Sequence, residues 1–446
     1  MIRNILFILL ILFVISSCSE EQKDIQVALT SETGYSNFLP GKAIIMPSRD
    51  SIEHKGVPTT IKEYVVRSYS LQRFQSLFYK YKKANKSFAK IAKRYKIDTT
   101  KLSTRYVDTE ILILVGTINE GQRIIIVDTD NDEDFRNEKI LTYDFPLPVE
   151  NQKEILEKLP TVEASFEYYH GQKIESRKVL LKPSPYKGSM GMSFSMSKNK
   201  LEKKYSLFIS IPEFKKGNIE VDGIKYNLAI ANGFTGVEYS DKKTKLYMAK
   251  NEEKFPLESK NYIPYKTKDI INFNGKDFEF RKISTFGDSL FLSYKGVNNK
   301  PIGINEGLYI PSLKGRRLDS TLLNIDSYKD KLILLDFWGT WCQPCIEALP
   351  DLKTLHREIG KNERFKMISI SYDRNLEKVK KFTKENEMNW DQLFVNSKNR
   401  GKNSMIEKLR ITEYPSTLLI DASGKIIARN KSIKELKEII KKRLEL

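Results

Sequence analysis

The stretch Leu332-Ile333-Leu334-Leu335-Asp336-Phe337-Trp338-Gly339-Thr340-Trp341-Cys342-Gln343-Pro344-Cys345 decides how the C-terminal third of this chain is read. From Leu332 to Trp338 there is no polar alternation, the pattern of a strand buried on both faces. Helical spacing follows at Ile346, Leu349, Leu352 and Leu355, so the two cysteines fall at a strand's end and a helix's first turn. There the unpaired N–H groups and the helix dipole favour an anion, which lowers the pKa of Cys342. Cys342 is expected to meet solvent, and Cys345, about one turn deeper, to face inward. A thiolate that attacks and a neighbour that resolves suffice for disulfide exchange.

Other uses of the pair fit less well. Half a zinc site needs two further ligands, yet the remaining cysteine is Cys18 and the three histidines, His54, His170 and His356, form no pair. Peroxide-reducing thiols do not usually present Trp-Cys-x-x-Cys. Asp336 stands inside the apolar run, where an unpaired charge is costly and a carboxyl becomes neutral through a raised pKa. Such a group makes a proton acceptor for the inner thiol.

The segment from Asp336 to Cys345 resembles the active-site segment of the TlpA/ResA-like membrane-tethered thioredoxins, over about the last 140 residues of the chain. Met367–Ser371 then matches the next parallel strand, and Tyr414-Pro415-Ser416-Thr417-Leu418-Leu419-Ile420-Asp421 the proline-led strand. The resemblance implies a redox disulfide between Cys342 and Cys345, a cis Pro415 facing it, a substrate-binding surface of Trp341, Tyr414 and Pro415, and no cofactor. Two positions depart from the family. Ala348 stands where ResA-like members carry a glutamate, with Glu347 one residue earlier, and Ser369 stands where thioredoxin's lysine partner of the buried aspartate would be.

Outward from this segment, Asn298-Asn299-Lys300-Pro301-Ile302-Gly303 looks like a linker. Before it, short alternating runs such as Thr109–Val115, Arg123–Val127, Leu207–Ile211 and Ser289–Leu292 are separated by Gly-containing turns, which predicts an antiparallel β-sandwich. One turn, Asp128-Thr129-Asp130-Asn131-Asp132-Glu133-Asp134 with Glu138 beyond, places acidic groups at alternate positions. That suits calcium through Asp128, Asp130, Asp132 and Asp134, or simply a polar hairpin tip. Glu133 and Lys139 stand where an EF-hand loop wants Gly and a bidentate carboxylate.

Between Ser70 and Ile97, apolar residues at spacings of three and four predict an amphipathic helix. Its polar face is basic: Ile61 to Tyr106 holds 13 Lys and Arg against Glu63 and Asp98. A solvated face over a core is favoured over contact with anionic lipid. At the start, Arg3, eleven apolar residues from Ile5 to Ile15 and Ser16-Ser17-Cys18 are too short for a membrane span and resemble a lipoprotein signal with Cys18 as the lipidated residue.

The whole chain of 446 residues, with 40% hydrophobic residues and a net charge of +19, is too long for one core and too apolar for disorder. Three cysteines exclude a disulfide-stapled scaffold, and nucleic acid is discounted for an exported lipoprotein. The expected plan is a signal peptide at 1–17, a tether and basic helical region at 18–104, a β-rich domain at 105–297, a linker at 298–304 and an α/β thioredoxin fold at 305–446. The expected function is a lipid-anchored extracytoplasmic thiol:disulfide oxidoreductase in the cell envelope, with the periplasmic face favoured over the cell surface. It would reduce cysteine-containing envelope proteins and draw electrons from a membrane donor of the DsbD type. The rival is an envelope binding lipoprotein whose β-domain captures a ligand, with the redox module auxiliary.

Overall fold

A computed structural model describes residues 24–36, 38, 43–44, 54–119, 121–145, 154, 157–186, 200–232, 236–239, 243–251, 253–255, 261–398 and 404–446. Cys18 and the expected signal segment lie outside these residues. Among the described residues no helix is long and apolar enough to cross a membrane.

The β-rich part is two sandwiches rather than one, each made of two four-stranded antiparallel sheets. In the first, Glu63–Ser70, Glu110–Thr117, Gln122–Val127 and Ile140–Asp144 form one sheet. Ala43–Ile44, Ser206–Ser210, Lys173–Tyr186 and Val162–His170 form the facing one. Ile111, Ile113, Ile125 and Val127 meet Phe166, Leu181, Leu207 and Ile209 in their shared core, each pointing inward by the two-residue period. The second sandwich pairs Ile25–Ala28 with Ser289–Val297, Lys276–Ile283 and Ile270–Phe273. Its other sheet is Lys245–Lys250, Ile224–Ala231, Glu213–Val221 and Thr30–Thr33.

The β region therefore begins well before residue 105. Four strands lie in the stretch expected to hold only tether and helix. They are short, or are masked by the helical spacing that follows them. The expected single helix is two, Arg73–Lys83 and Ala89–Tyr95. The chain breaks between them with Asn85 in the left-handed region at φ 50°, which asparagine tolerates better than most residues. Phe74 packs on Tyr95 and Phe78 on Phe88, so the aromatic face is spent holding the two helices together. Gln75 is buried and bonds the backbone of Ser103 as both donor and acceptor.

The C-terminal domain has a seven-stranded mixed sheet ordered Leu322–Asn324, Lys314–Arg317, Asp391–Asn396, Phe365–Asp373, Leu332–Trp338, Ser416–Ile420, Ile426–Arg429. Leu332–Trp338 is buried at every position and lies inside the sheet, parallel to Phe365–Asp373 and antiparallel to Ser416–Ile420. Ile333, Leu335 and Phe337 face one core, and Leu332 and Leu334 face the other. That second face is covered by the helices Gln343–Ile359 and Ile433–Leu444 through Leu352, Leu355, Leu436 and Ile440. Asp336 shares its parity, so the carboxylate is directed toward the layer that carries the cysteines.

The expected linker is built into this domain from Pro301 onward. Tyr309 N donates to Pro301 O, Ile310 N to Gly424 O, and Ile426 N to Leu308 O. The Asn305 side chain is buried and bonds both the N–H and the C=O of Ile263, each at 2.8 Å. Arg410 forms an ion pair with Asp269. The two halves of the chain are thus docked, since a loop that satisfies its backbone groups on a sheet edge is no longer a free tether.

Candidate active site

Cys342 and Cys345 form a disulfide with sulfurs 2.03 Å apart. Cys342 is the N-cap of the helix Gln343–Ile359 and its Sγ accepts the Cys345 N–H at 3.2 Å. Pro344 stands in the first turn, where its missing N–H costs nothing. The expectation that Cys342 alone meets solvent is corrected: Cys342 is 3% exposed and Cys345 6%. Both sulfurs belong to a cluster with Trp338, Leu349, Val379 and Met388, so packing around the closed disulfide overrides the difference in helix position. What separates the two thiols is the cap: only Cys342 receives a first-turn N–H.

Asp336 is 2% exposed. Its Oδ2 accepts the Ser369 hydroxyl at 2.8 Å, and Ser369 Oγ in turn accepts the Trp390 indole N–H at 2.8 Å. Burial pushes the carboxyl up to about 6, with the Ser369 hydrogen bond pulling the other way. Ser369 is opposite Asp336 in the parallel register, so the position read as lacking a partner supplies a hydroxyl instead of an ammonium. Asp336, Cys345 and Pro415 line one cavity of about 470 Å³ together with Trp338, Phe382 and Ala348. Glu347 is exposed and accepts a bond from Gln343.

The Tyr414–Pro415 peptide is cis. Trp341 is 56% exposed, donates its indole N–H to Tyr372 O at 2.8 Å and meets Tyr414 edge-on at 5.4 Å. Tyr414 stacks on Tyr372 at 5.6 Å. Beneath them the buried Asp373 accepts both the backbone N–H (2.8 Å) and the hydroxyl (2.9 Å) of Thr340, pinning the loop that presents the disulfide. Sequence reasoning missed Asp373, Tyr372 and Trp390. The one usable signal was the polar Ser369, Ser371 and Asp373 recurring at two-residue spacing within an apolar strand.

A family model described as thioredoxin-like matches residues 330–426. The C-terminal domain is thioredoxin-like. A thiol-disulfide oxidoreductase ResA of Bacillus cereus is 28% identical over 155 residues, spanning 34% of this chain and 86% of that protein. The thioredoxin-like protein YneN of Bacillus subtilis is 26% identical over 136 residues, 30% of this chain and 75% of its own. Among solved structures, the thioredoxin domain of a thiol-disulfide oxidoreductase from Bacteroides vulgatus is 25% identical, covering 32% of this chain and 99% of its own, with a TM-score of 0.29. These similarities fall on the C-terminal domain.

The remaining sequence candidates lie apart from it. Asp128, Asp130 and Glu138 bring carboxylate oxygens within 4.8 Å of one another. Asp132 and Asp134 are not in that group: Asp132 accepts the Asp134 N–H, and Asp134 holds Arg136. Asp128 is pushed up to about 6 by burial, against two backbone N–H bonds that it accepts from Asp132 and Glu133. Glu138 is bonded to Thr129.

Proposed function

We propose that this chain is a lipid-anchored, extracytoplasmic reductant of disulfides in cysteine-containing envelope proteins, resupplied with electrons by a membrane donor of the DsbD type. The observation that carries the reading is the Cys342–Cys345 pair at a helix N-terminus, sharing a cavity with the buried Asp336 and with Pro415. The anchor rests on Ser16-Ser17-Cys18 after the apolar run from Ile5 to Ile15, and of the two faces the periplasmic one is proposed.

In the reaction the reduced protein starts with two thiols. The Cys342 thiolate, held by the Cys345 N–H, attacks one sulfur of the substrate disulfide, and the other substrate sulfur leaves as a thiolate that takes a proton from solvent. Cys345 then gives its proton to the Asp336 carboxylate, which is largely ionised at pH 7 with a pKa of about 6. The Cys345 thiolate attacks Cys342 Sγ and expels the second substrate sulfur as a thiolate, which takes a proton from solvent while Asp336 returns its own to solvent. Two electrons have passed to the substrate, and the protein is left with the disulfide described here. Trp341 and Tyr414 flank the sulfurs as a surface for the partner chain.

No cationic side chain stands between the cysteines, where Gln343 and Pro344 sit, so nothing holds the thiolate as low as in strong oxidants of this fold. The reduction potential is expected nearer thioredoxin's roughly −270 mV than the roughly −120 mV of DsbA. A glutathione titration of the full chain tests this. A value above about −180 mV, in the isomerase range, contradicts a reductant.

A further inference from the structure

Where the two sandwiches meet, a cavity of about 330 Å³ opens between strands of both, with Arg177 on one wall and Lys215 and Asn232 on the other. Its volume falls at the lower end of small-molecule sites, and Phe166, Phe286 and Tyr239 give it aromatic sides.

Its polar groups are unequal. The buried Lys215 is fully met on the spot: its ammonium donates to Ser31 Oγ at 2.5 Å and pairs with Glu213 at 3.2 Å and Asp288 at 3.4 Å. Arg177 is not. Its guanidinium lies over the Phe286 ring at 3.4 Å, and one terminal nitrogen reaches Glu175 at 3.3 Å. Glu175 is shared with Lys173 at 2.7 Å, so two cations divide one carboxylate on this wall, while Glu213 and Asp288 share Lys215 on the other. The Nε–H of Arg177 is buried without a partner. Opposite, Asn232 is nine-tenths buried, and its amide nitrogen donates to Gly236 O at 2.8 Å and Glu238 O at 2.6 Å. Those bonds fix which way the amide points and leave Oδ1 buried without a partner. An unmet guanidinium donor and an unmet amide acceptor, on two residues that line the same cavity, are each costly to leave unpaired.

We propose that this seam is a binding site for a small carboxylate that also carries a hydrogen-bond donor. The carboxylate takes the Arg177 Nε–H, the donor bonds Asn232 Oδ1, and the ligand's carbon skeleton lies against Phe166 and Tyr239. A sugar acid and the C-terminus of a short peptide both have this chemistry at this size. The site is separate from the redox centre and stands independently of its assignment.

The test is calorimetric titration of the full chain in detergent with glucuronate, with glycyl-alanine, and with glucose as the uncharged control. The expected result is saturable one-to-one binding of at least one carboxylate, with glucose weaker by about tenfold or more, the loss of a charge-assisted bond. Arg177→Met should cost that ligand a similar factor. Arg177→Lys, which keeps the cation but lacks the Nε donor, should also weaken it, and carries the comparison if the methionine variant melts early. Binding of glucuronate alone assigns a sugar acid, and of glycyl-alanine alone a peptide end. No saturable binding of either carboxylate up to about 10 mM, or glucose binding as tightly as glucuronate, overturns the proposal even if neither variant folds.

Discussion

Ser369 gives its hydroxyl to the buried carboxylate of Asp336 at 2.8 Å while its oxygen accepts the indole of Trp390. This bond lowers a pKa that burial alone would raise further. Ser369→Ala should therefore move the Asp336 pKa above about 6. If an ionised Asp336 accepts the Cys345 proton, the rising limb of the reductase pH profile moves to higher pH by the same amount. Insulin reduction followed across pH 5 to 9 reads the shift, with about one unit as the expected order. A profile that stays in place removes Asp336 from the proton path.

The same carboxyl governs stability. Its folded pKa of about 6 lies above the ordinary 3.8, so the folded state binds the extra proton between those values and stability falls as pH rises through that window, then levels off. Replacing it with the neutral amide, Asp336→Asn, should remove the fall and leave the oxidised protein more stable at pH 7, by an amount on the order of 3 kcal/mol at most. All three tryptophans, Trp338, Trp341 and Trp390, lie in the C-terminal domain, so urea unfolding followed by their fluorescence reports this domain alone.

The two cysteines should differ in what they capture. Cys345→Ser leaves the capped nucleophile and no resolving thiol, and should accumulate mixed disulfides on non-reducing gels of envelope extracts. Cys342→Ser should hold almost none, because Cys345 lacks the N-cap position. Asp336→Asn should slow release of the mixed disulfide more than its formation. Equal capture by both cysteine variants would show that the cap does not divide their roles.

Asp373→Ala deletes the acceptor for two buried Thr340 donors. The loss should be about 1–3 kcal/mol in the fluorescence-detected transition, with slower disulfide reduction because the loop before Cys342 is no longer pinned. Thr340→Val removes only the hydroxyl bond and should fall between this variant and wild type. A larger loss for the valine variant would mean that the loop is held by packing instead.

Much of this site could be read along the chain because its elements are local. The run from Leu332 to Trp338, the helix spacing after Cys345 and the strand after Pro415 each carry their signal within a few residues. The partners of Asp336 and Thr340 could not be read so, since Ser369 and Asp373 reach them through the parallel pairing of strands separated by a helix. The same limit hid the two sandwiches. Ile25 pairs with Leu292, and Thr33 with Glu213, so the chain opens in the second sandwich, builds the first, and returns. No short-range pattern encodes such closure. The exposure of Cys342 was misread for a related reason: Val379 and Met388, which help to bury it, come from the helix Leu376–Glu385 and the turn that follows it.

The bonds of Asn305 to Ile263 and the pairing of Arg410 with Asp269 have a consequence for encounter. Arg410 precedes Tyr414 by only a few residues, so the fastening lies on the very loop that carries the partner-facing tyrosine. A module on a flexible string sweeps a volume and meets its targets in many orientations, at an effective concentration set by the string's length. A module clamped to a broad β base sweeps almost nothing. Its heading relative to the base is set by these contacts, so under the proposed function a substrate disulfide has to approach the Trp341 and Tyr414 face in the orientation that the base leaves open, and the shape of the base acts as a filter before any side chain is touched.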